Sequence, residues 1–206
     1  MGCVKIIHTL SLSPILMKRI IDLIWRLAPG VQTEWLQCPT MDDALDALKR
    51  NRSDIIITQL EPHSHDYVEY LHWYDDYRLV TGVNDSHEPL RKGDTKRYLA
   101  YIHAGQAFLQ THSVHQKLPA HKTFMGDVSA IIELVTAGGC CSILPSSILP
   151  LQDDKIRAAP LEPPCSRRIA VIAPSSSLLS GAARTTIECL KKCHLQPFFH
   201  TSSNSE

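Results

Sequence analysis

Residues 132–145 have the sequence IELVTAGGCCSILP, in which apolar positions at helical spacing give way to two glycines and a short apolar run. The spacing predicts a helix over residues 129–137 that ends at Gly138 and Gly139, because glycine readily takes the backbone angles found where helices end. A short strand is predicted over residues 141–144. A helix, a tight turn and a buried strand in this order are typical of an α/β fold.

The N-terminal third alternates strands and helices in the same way. Ile55, Ile56 and Ile57 form a continuous apolar run, which is typical of a strand covered on both faces of a parallel sheet. Capping residues and helical spacing predict helices before this run. The predicted order is strand 4–9, helix 15–27, strand 31–36, helix 41–48 and strand 55–58. This β-α-β-α-β order predicts a doubly wound sheet.

The polar, turn-rich residues 84–96 follow a strand predicted over residues 77–83 and indicate a passage into a second lobe. A strand over residues 168–172 then returns the chain to the first lobe, ahead of a helix over residues 180–192. We therefore expect two lobes. Lobe I comprises residues 1–81 and 166–195, lobe II comprises residues 82–165 with a strand at 98–103, and residues 196–206 form a flexible tail.

The composition narrows the class of protein. Lys and Arg number 21, as do Asp and Glu, so the net charge is zero and the basic surface expected of a DNA-binding chain is missing. Seven cysteines without a disulfide pattern favour a reducing cytoplasm. The N-terminus has no apolar run long enough for a signal peptide or a membrane span. We expect a cytoplasmic chain that contacts no membrane and does not bind DNA by itself.

The stretch from Ile132 to Pro145 resembles the helix, glycine turn and proline-closed strand of the effector-binding domain of LysR-type transcription regulators. Residues 48–58 and 79–90 are similar to other parts of that domain, and the resemblance spans residues 4–193. There are two departures. Glu88 separates a histidine from a proline, and Cys140 stands where the family usually has a second glycine able to take left-handed backbone angles.

The resemblance implies an α/β fold with two Rossmann-like lobes of the type 2 periplasmic-binding-protein kind and a ligand cleft between them. It implies a sensor that relays closure to an N-terminal helix-turn-helix, which has no counterpart in this chain, so DNA would be bound only through that missing domain. It also implies a homodimer formed by antiparallel pairing of residues 15–27 and 129–137, and a tetramer of the full-length protein.

Ligands of open α/β sheets bind beyond the carboxyl ends of the strands, where helix N-termini offer free N–H groups. The candidate ligand-binding residues at these ends are Thr9, Leu10, Ser11, Thr40, Thr58, His103, Phe124, Gly126, Asp127 and Ile143. We expect a small effector that is an organic anion or an aromatic compound.

Each of these residue types also has an ordinary structural role. Ser11 and Thr40 are candidate helix caps, and His103 can be a surface histidine that binds nothing. Phe124, with Met125, either lines the ligand site or packs in the core. Asp127 would oppose an anion at a helix start, so it is either a cap or the partner of a ligand that carries a donor.

The sequence contains no nucleophile with a base, no paired carboxylates and no glycine-rich phosphate loop, so we expect neither an enzyme nor a cofactor. Residues 63–65 and 112–115 each carry two histidines, but no cysteine or carboxylate completes a metal site. Two alternatives stay open: a solute-binding protein of the same fold, which needs an export signal, and a redox sensor that uses Cys140.

Overall fold

The computed structural model describes residues 2–9, 12, 14–59, 67–85, 97–101, 122–150 and 154–192. These residues form nine β-strands and four α-helices. In chain order they are β1 (Gly2–His8), α1 (Pro14–Leu27), β2 (Val31–Gln37), α2 (Met41–Lys49), β3 (Ile55–Gln59), β4 (Val68–Gly82), β5 (Arg97–Tyr101), β6 (Lys122–Met125), α3 (Val128–Ala137), β7 (Cys140–Pro145), β8 (Ile156–Pro160), β9 (Ser166–Ala173) and α4 (Gly181–Lys192).

The chain divides into two compact units. Unit 1 comprises residues 1–75 and 168–206, and unit 2 comprises residues 76–167. The chain therefore passes from unit 1 to unit 2 within β4 and returns within β9.

Unit 1 is built on a sheet in the order β2-β1-β3-β9, followed by β4. β1 pairs in parallel with both β2 and β3, and β3 pairs antiparallel with β9. Ile55, Ile56 and Ile57 are fully buried because α1 and α4 cover one face of the sheet and α2 covers the other. The predicted β-α-β-α-β order is confirmed.

Unit 2 has a sheet in which β5 pairs in parallel with β6 and β7, while β4 pairs antiparallel with β7 and β8. Helix α3 buries Ile131 and Val135 against one face of this sheet. It ends at Gly138 and Gly139, whose φ angles of 92° and 72° disfavour any side chain. The predicted helix, glycine turn and strand are confirmed.

Three strands differ from the sequence prediction. β4 begins at Val68, nine residues before the predicted start, because polar side chains along residues 69–76 conceal its alternation. The segment starting at Phe124 was predicted as a loop, but Phe124 and Met125 end the four-residue strand β6. β8 was not predicted, because it ends in the proline-rich stretch before residue 165.

Candidate functional site

Thr9 and Thr58 lie together at the carboxyl ends of β1 and β3. The parallel pairing of His8 with Ile57 places the two residues that follow side by side. Their hydroxyl oxygens are 2.6 Å apart, and the residues are only 2% and 1% exposed. The structure therefore brings two predicted site residues into direct contact, and it adds a buried hydrogen bond that the sequence did not reveal.

The bonding capacity of this hydroxyl pair is partly open. Two bonded hydroxyls use one proton between them and direct the second proton to another acceptor. If Thr9 donates to Thr58, the Thr58 proton can reach the Gln59 carbonyl at 3.2 Å or the Met41 sulfur at 3.5 Å. If Thr58 donates instead, the Thr9 proton points to a different acceptor. The pair can thus reverse its direction when an acceptor approaches Thr9.

Thr40 caps α2 next to this pair. Its hydroxyl oxygen accepts a hydrogen bond from the Asp43 N–H at 3.1 Å and donates to the Asp43 carboxylate at 2.5 Å. Asp42 and Asp43 both lie in the first turn of α2, where negative charge is stabilised by the helix dipole. The positive end of α2 is therefore already occupied by the chain's own carboxylates.

Asp127 occupies the N-terminus of α3 in the same manner. Its Oδ1 accepts hydrogen bonds from the Ser129 and Ala130 N–H groups at 2.8 and 3.3 Å. Gly126 is the exposed residue between β6 and this cap. The geometry gives Asp127 the capping role that the sequence left as one of two interpretations.

Phe124 and Ile143 have different surroundings within unit 2. Phe124 is 54% exposed on β6, so it is not a core residue. Ile143 is fully buried on β7, in a cluster with Tyr98 and Ala100. Ala100 pairs with Phe124 in the β5–β6 register.

Three predicted site residues, Leu10, Ser11 and His103, lie outside the described residues, as do the histidines of residues 63–65 and 112–115. Sequence reasoning missed Met41 and Cys38, which are half-buried residues around Ile7 and Ala44 on the same side of the sheet as Thr58. The signal for Met41 was available, because it directly follows the predicted cap Thr40.

The sulfur groups of unit 2 are mostly buried. Cys141 is fully buried, and its thiol donates to the Arg97 carbonyl at 3.8 Å, while Cys140 is half-buried. Burial raises the pKa of the Cys165 thiol to about 11, with a further contribution from Asp76. Six cysteines within the described ranges are free, Cys140 and Cys141 among them.

A search of the described residues finds no group of three histidine, cysteine or acidic side chains that could hold a metal ion. Within that same part of the chain, every helix is too short or too polar to cross a membrane. The arrangement at Thr9 and Thr58 offers hydrogen bonds from neutral hydroxyls. Of the nearby helix starts in unit 1, α1 has no acidic residue in its first turn, in contrast to α2.

Comparisons with known proteins agree with this architecture. The model of the LysR substrate binding domain family matches residues 2–193. No curated protein sequence matches the chain.

Three solved structures illustrate the structural similarity. A reduced form of OxyR from N. meningitidis has 19% identity and a TM-score of 0.73, and the match covers 95% of this chain and 97% of that one. The effector binding domain of a BenM variant has 16% identity and a TM-score of 0.69, with 92% and 93% covered. Full-length CbnR complexed with its target DNA has 13% identity and a TM-score of 0.73, with 93% and 70% covered.

Proposed function

Since this chain belongs to the LysR substrate binding domain family, we propose that it senses a small metabolite, bound between its two lobes, for a LysR-type transcription regulator. The fold is the type 2 periplasmic-binding-protein fold, as predicted from the resemblance. We assign unit 1 to lobe I and unit 2 to lobe II.

The observation that carries the proposal is the buried pair of Thr9 and Thr58 hydroxyls at the carboxyl ends of two parallel strands. Buried hydroxyls are costly unless they are hydrogen-bonded, so a pair at a strand end is better explained by a ligand that uses it than by packing alone. We propose that an acceptor atom of the effector binds at Thr9 and that Thr58 then donates to Thr9.

The capping of α2 and α3 limits where a negative charge of the effector can bind. Asp42, Asp43 and Asp127 would repel a carboxylate placed at either helix start. Helix α1 has no acidic residue in its first turn and begins five residues after Thr9. We propose that an organic anion binds at the start of α1, and that an aromatic part of it extends toward the exposed ring of Phe124.

The regulatory step follows from differential affinity. An effector that binds one closure angle of the lobes more tightly shifts the population toward that conformation. We propose that the shift is relayed to an N-terminal helix-turn-helix outside this chain, through which the regulator binds DNA in the cytoplasm. The CbnR structure with its target DNA is an example of a full-length relative bound in this way.

We further propose that the chain forms a homodimer, and that the full-length protein forms a tetramer. Helix α1 exposes Trp25 and Leu27, and helix α3 exposes Leu134. Large apolar side chains on two helices are suited to an isologous contact, which buries the same surface on both copies.

The effector class can be tested with matched pairs of ligands. Aromatic and aliphatic carboxylates, each with its neutral primary amide, are screened by thermal shift, and hits are measured by isothermal titration calorimetry. At least one carboxylate should bind, and its amide should bind at least about tenfold more weakly, because hydrogen bonds to charged groups contribute about 1.5–3 kcal/mol.

Two variants locate the site. Thr58→Val removes one hydroxyl of the pair and should weaken binding by about five- to tenfold. Thr185→Val makes the same chemical change on exposed α4, where the hydroxyl donates to the Gly181 carbonyl, and should leave affinity unchanged. Equal affinities of Thr58→Val and the unmodified chain would show that the effector does not use the pair.

A further inference from the structure

Four side chains outside the candidate site form a cluster on unit 1. Glu69, His72 and Tyr74 belong to β4, and Arg168 belongs to β9, which is next to β4 in the sheet. The Glu69 Oε1 atom accepts a hydrogen bond from Arg168 Nη2 and lies 2.8 Å from His72 Nδ1. The rings of His72 and Tyr74 meet edge to face, with centroids 5.9 Å apart. One carboxylate oxygen therefore serves two nitrogen groups.

The three polar groups cannot all be satisfied at once. Arg168 Nη2 and His72 Nδ1 are 3.3 Å apart. An unprotonated Nδ1 accepts a hydrogen bond from Arg168, but its lone pair then faces the Glu69 carboxylate. A protonated Nδ1 donates to Glu69, but its hydrogen then faces the guanidinium. The charge of His72 therefore decides which of the three contacts is favourable.

The neighbouring charges are fixed over the range in which a histidine titrates. Burial alone would raise the pKa of Glu69, but the hydrogen bonds from Arg168 and His72 outweigh it and lower that pKa below its ordinary value. The bond to Glu69 raises the pKa of Arg168, burial opposes this, and Tyr74 contributes as a second acceptor. Glu69 stays negative and Arg168 stays positive.

The described charged groups that contact His72 are Glu69 on its own strand and Arg168 on the neighbouring strand. On the adjacent helix α4, Lys191 and Glu188 bond to each other, and Lys191 lies over the ring of Tyr70. These two helix charges pair with one another, so the balance at His72 is set by Glu69 and Arg168.

We propose that protonation of His72 transfers the Glu69 carboxylate from Arg168 to the imidazolium and turns Arg168 toward Tyr74. The Arg168–Glu69 bond ties β9 to β4, whereas the His72–Glu69 bond lies within β4 alone. Mild acid therefore exchanges a tie between strands for a tie within one strand. Both strands contain the points at which the chain passes between the units, so the exchange loosens the lobe I end of these connections.

The experiment follows the Arg168 Nε–H signal of the whole chain by NMR from about pH 8 to about pH 5, the range in which histidine changes charge. The signal should move along the same curve as the His72 ring protons. Amide hydrogen exchange at Arg168 and Ile169, corrected for the intrinsic effect of pH, should become about two- to fivefold faster in acid, as expected for the loss of one partly exposed ion pair.

Two variants at the half-exposed position 72 make the test decisive, because this side chain is 44% exposed and its replacement spares the core. His72→Gln should hold the Arg168 signal at its alkaline position at every pH, and His72→Lys should hold it near its acidic position. The proposal is overturned if the Arg168 signal stays still while the His72 ring titrates, or if it moves equally in His72→Gln.

Discussion

Removal of the hydroxyls of Thr9 and Thr58, singly and together, tests the most buried polar contact at the candidate site. Thr58→Val removes the 2.6 Å bond to Thr9 and the contact with the Gln59 carbonyl, so we expect a loss of about 2 kcal/mol in the free energy of unfolding. Thr9→Val should cost about 1 kcal/mol, because Thr58 keeps its carbonyl acceptor. Val fits both sites, since it has nearly the shape of Thr.

The double variant should cost less than the sum of the single variants. Once one hydroxyl is gone, removal of the other no longer breaks the bond between them, so the double variant should lose about 2 kcal/mol instead of 3 kcal/mol. The coupling energy is then about 1 kcal/mol, which is within the range measured for residues in contact.

Urea unfolding measures these values by linear extrapolation. Trp25, Trp35 and Trp73 all lie in unit 1, so fluorescence reports on the unit that contains the pair. Losses that add within about 0.3 kcal/mol would refute the hydroxyl contact, because independent sites show additive effects of that accuracy. Thr185→Val serves again as the control for the change in chemistry.

Three further predictions follow from the other features. Asp127→Ala should reduce the unfolding free energy of unit 2 by about 1 kcal/mol in thermal unfolding followed by circular dichroism, because two N–H groups lose their acceptor, whereas Asp127→Asn should retain most of it. Trp25→Glu should shift sedimentation of the chain from dimer to monomer, and a wild-type chain that is monomeric at about 100 μM would contradict the dimer. Since the pKa of Glu69 is lowered from 4.5, its bonds contribute stability above that pH and lose it in stronger acid; Glu69→Gln should flatten this part of the pH profile of stability.

The order of strands and helices was predictable because the patterns in unit 1 are local and strong. Ile55, Ile56 and Ile57 are covered on both faces, as a continuous apolar run requires. The glycine turn at residues 138–139 was predictable for the same reason, since only a few residue types fit those backbone angles.

The strands of unit 2 were harder to predict because their signals depend on distant partners. β6 has only four residues, and its pairing with β5 comes from tertiary structure. β4 combines two kinds of environment in fifteen residues, so its first half has no simple alternation and its start was predicted nine residues late.

The candidate site was predictable as a set of loops but not as a set of contacts. The position of Thr9 and Thr58 after buried runs indicated that both lie at strand ends. Their mutual hydrogen bond depends on the register of β1 against β3, which the sequence does not encode locally. The carboxylate at Asp127 indicated a cap, but its two N–H partners required the structure.

The discontinuous course of unit 1 has a consequence for synthesis on the ribosome. Strand β3 needs β9 as its second neighbour, but β9 is translated only after all of unit 2. The continuous residues 76–167 can fold as they emerge, while the β3 edge of the nascent chain remains open with three adjacent isoleucines. The exposure of this edge lasts for the translation of about a hundred residues, which is roughly 5–20 s. Early termination before β9 would therefore leave an aggregation-prone fragment.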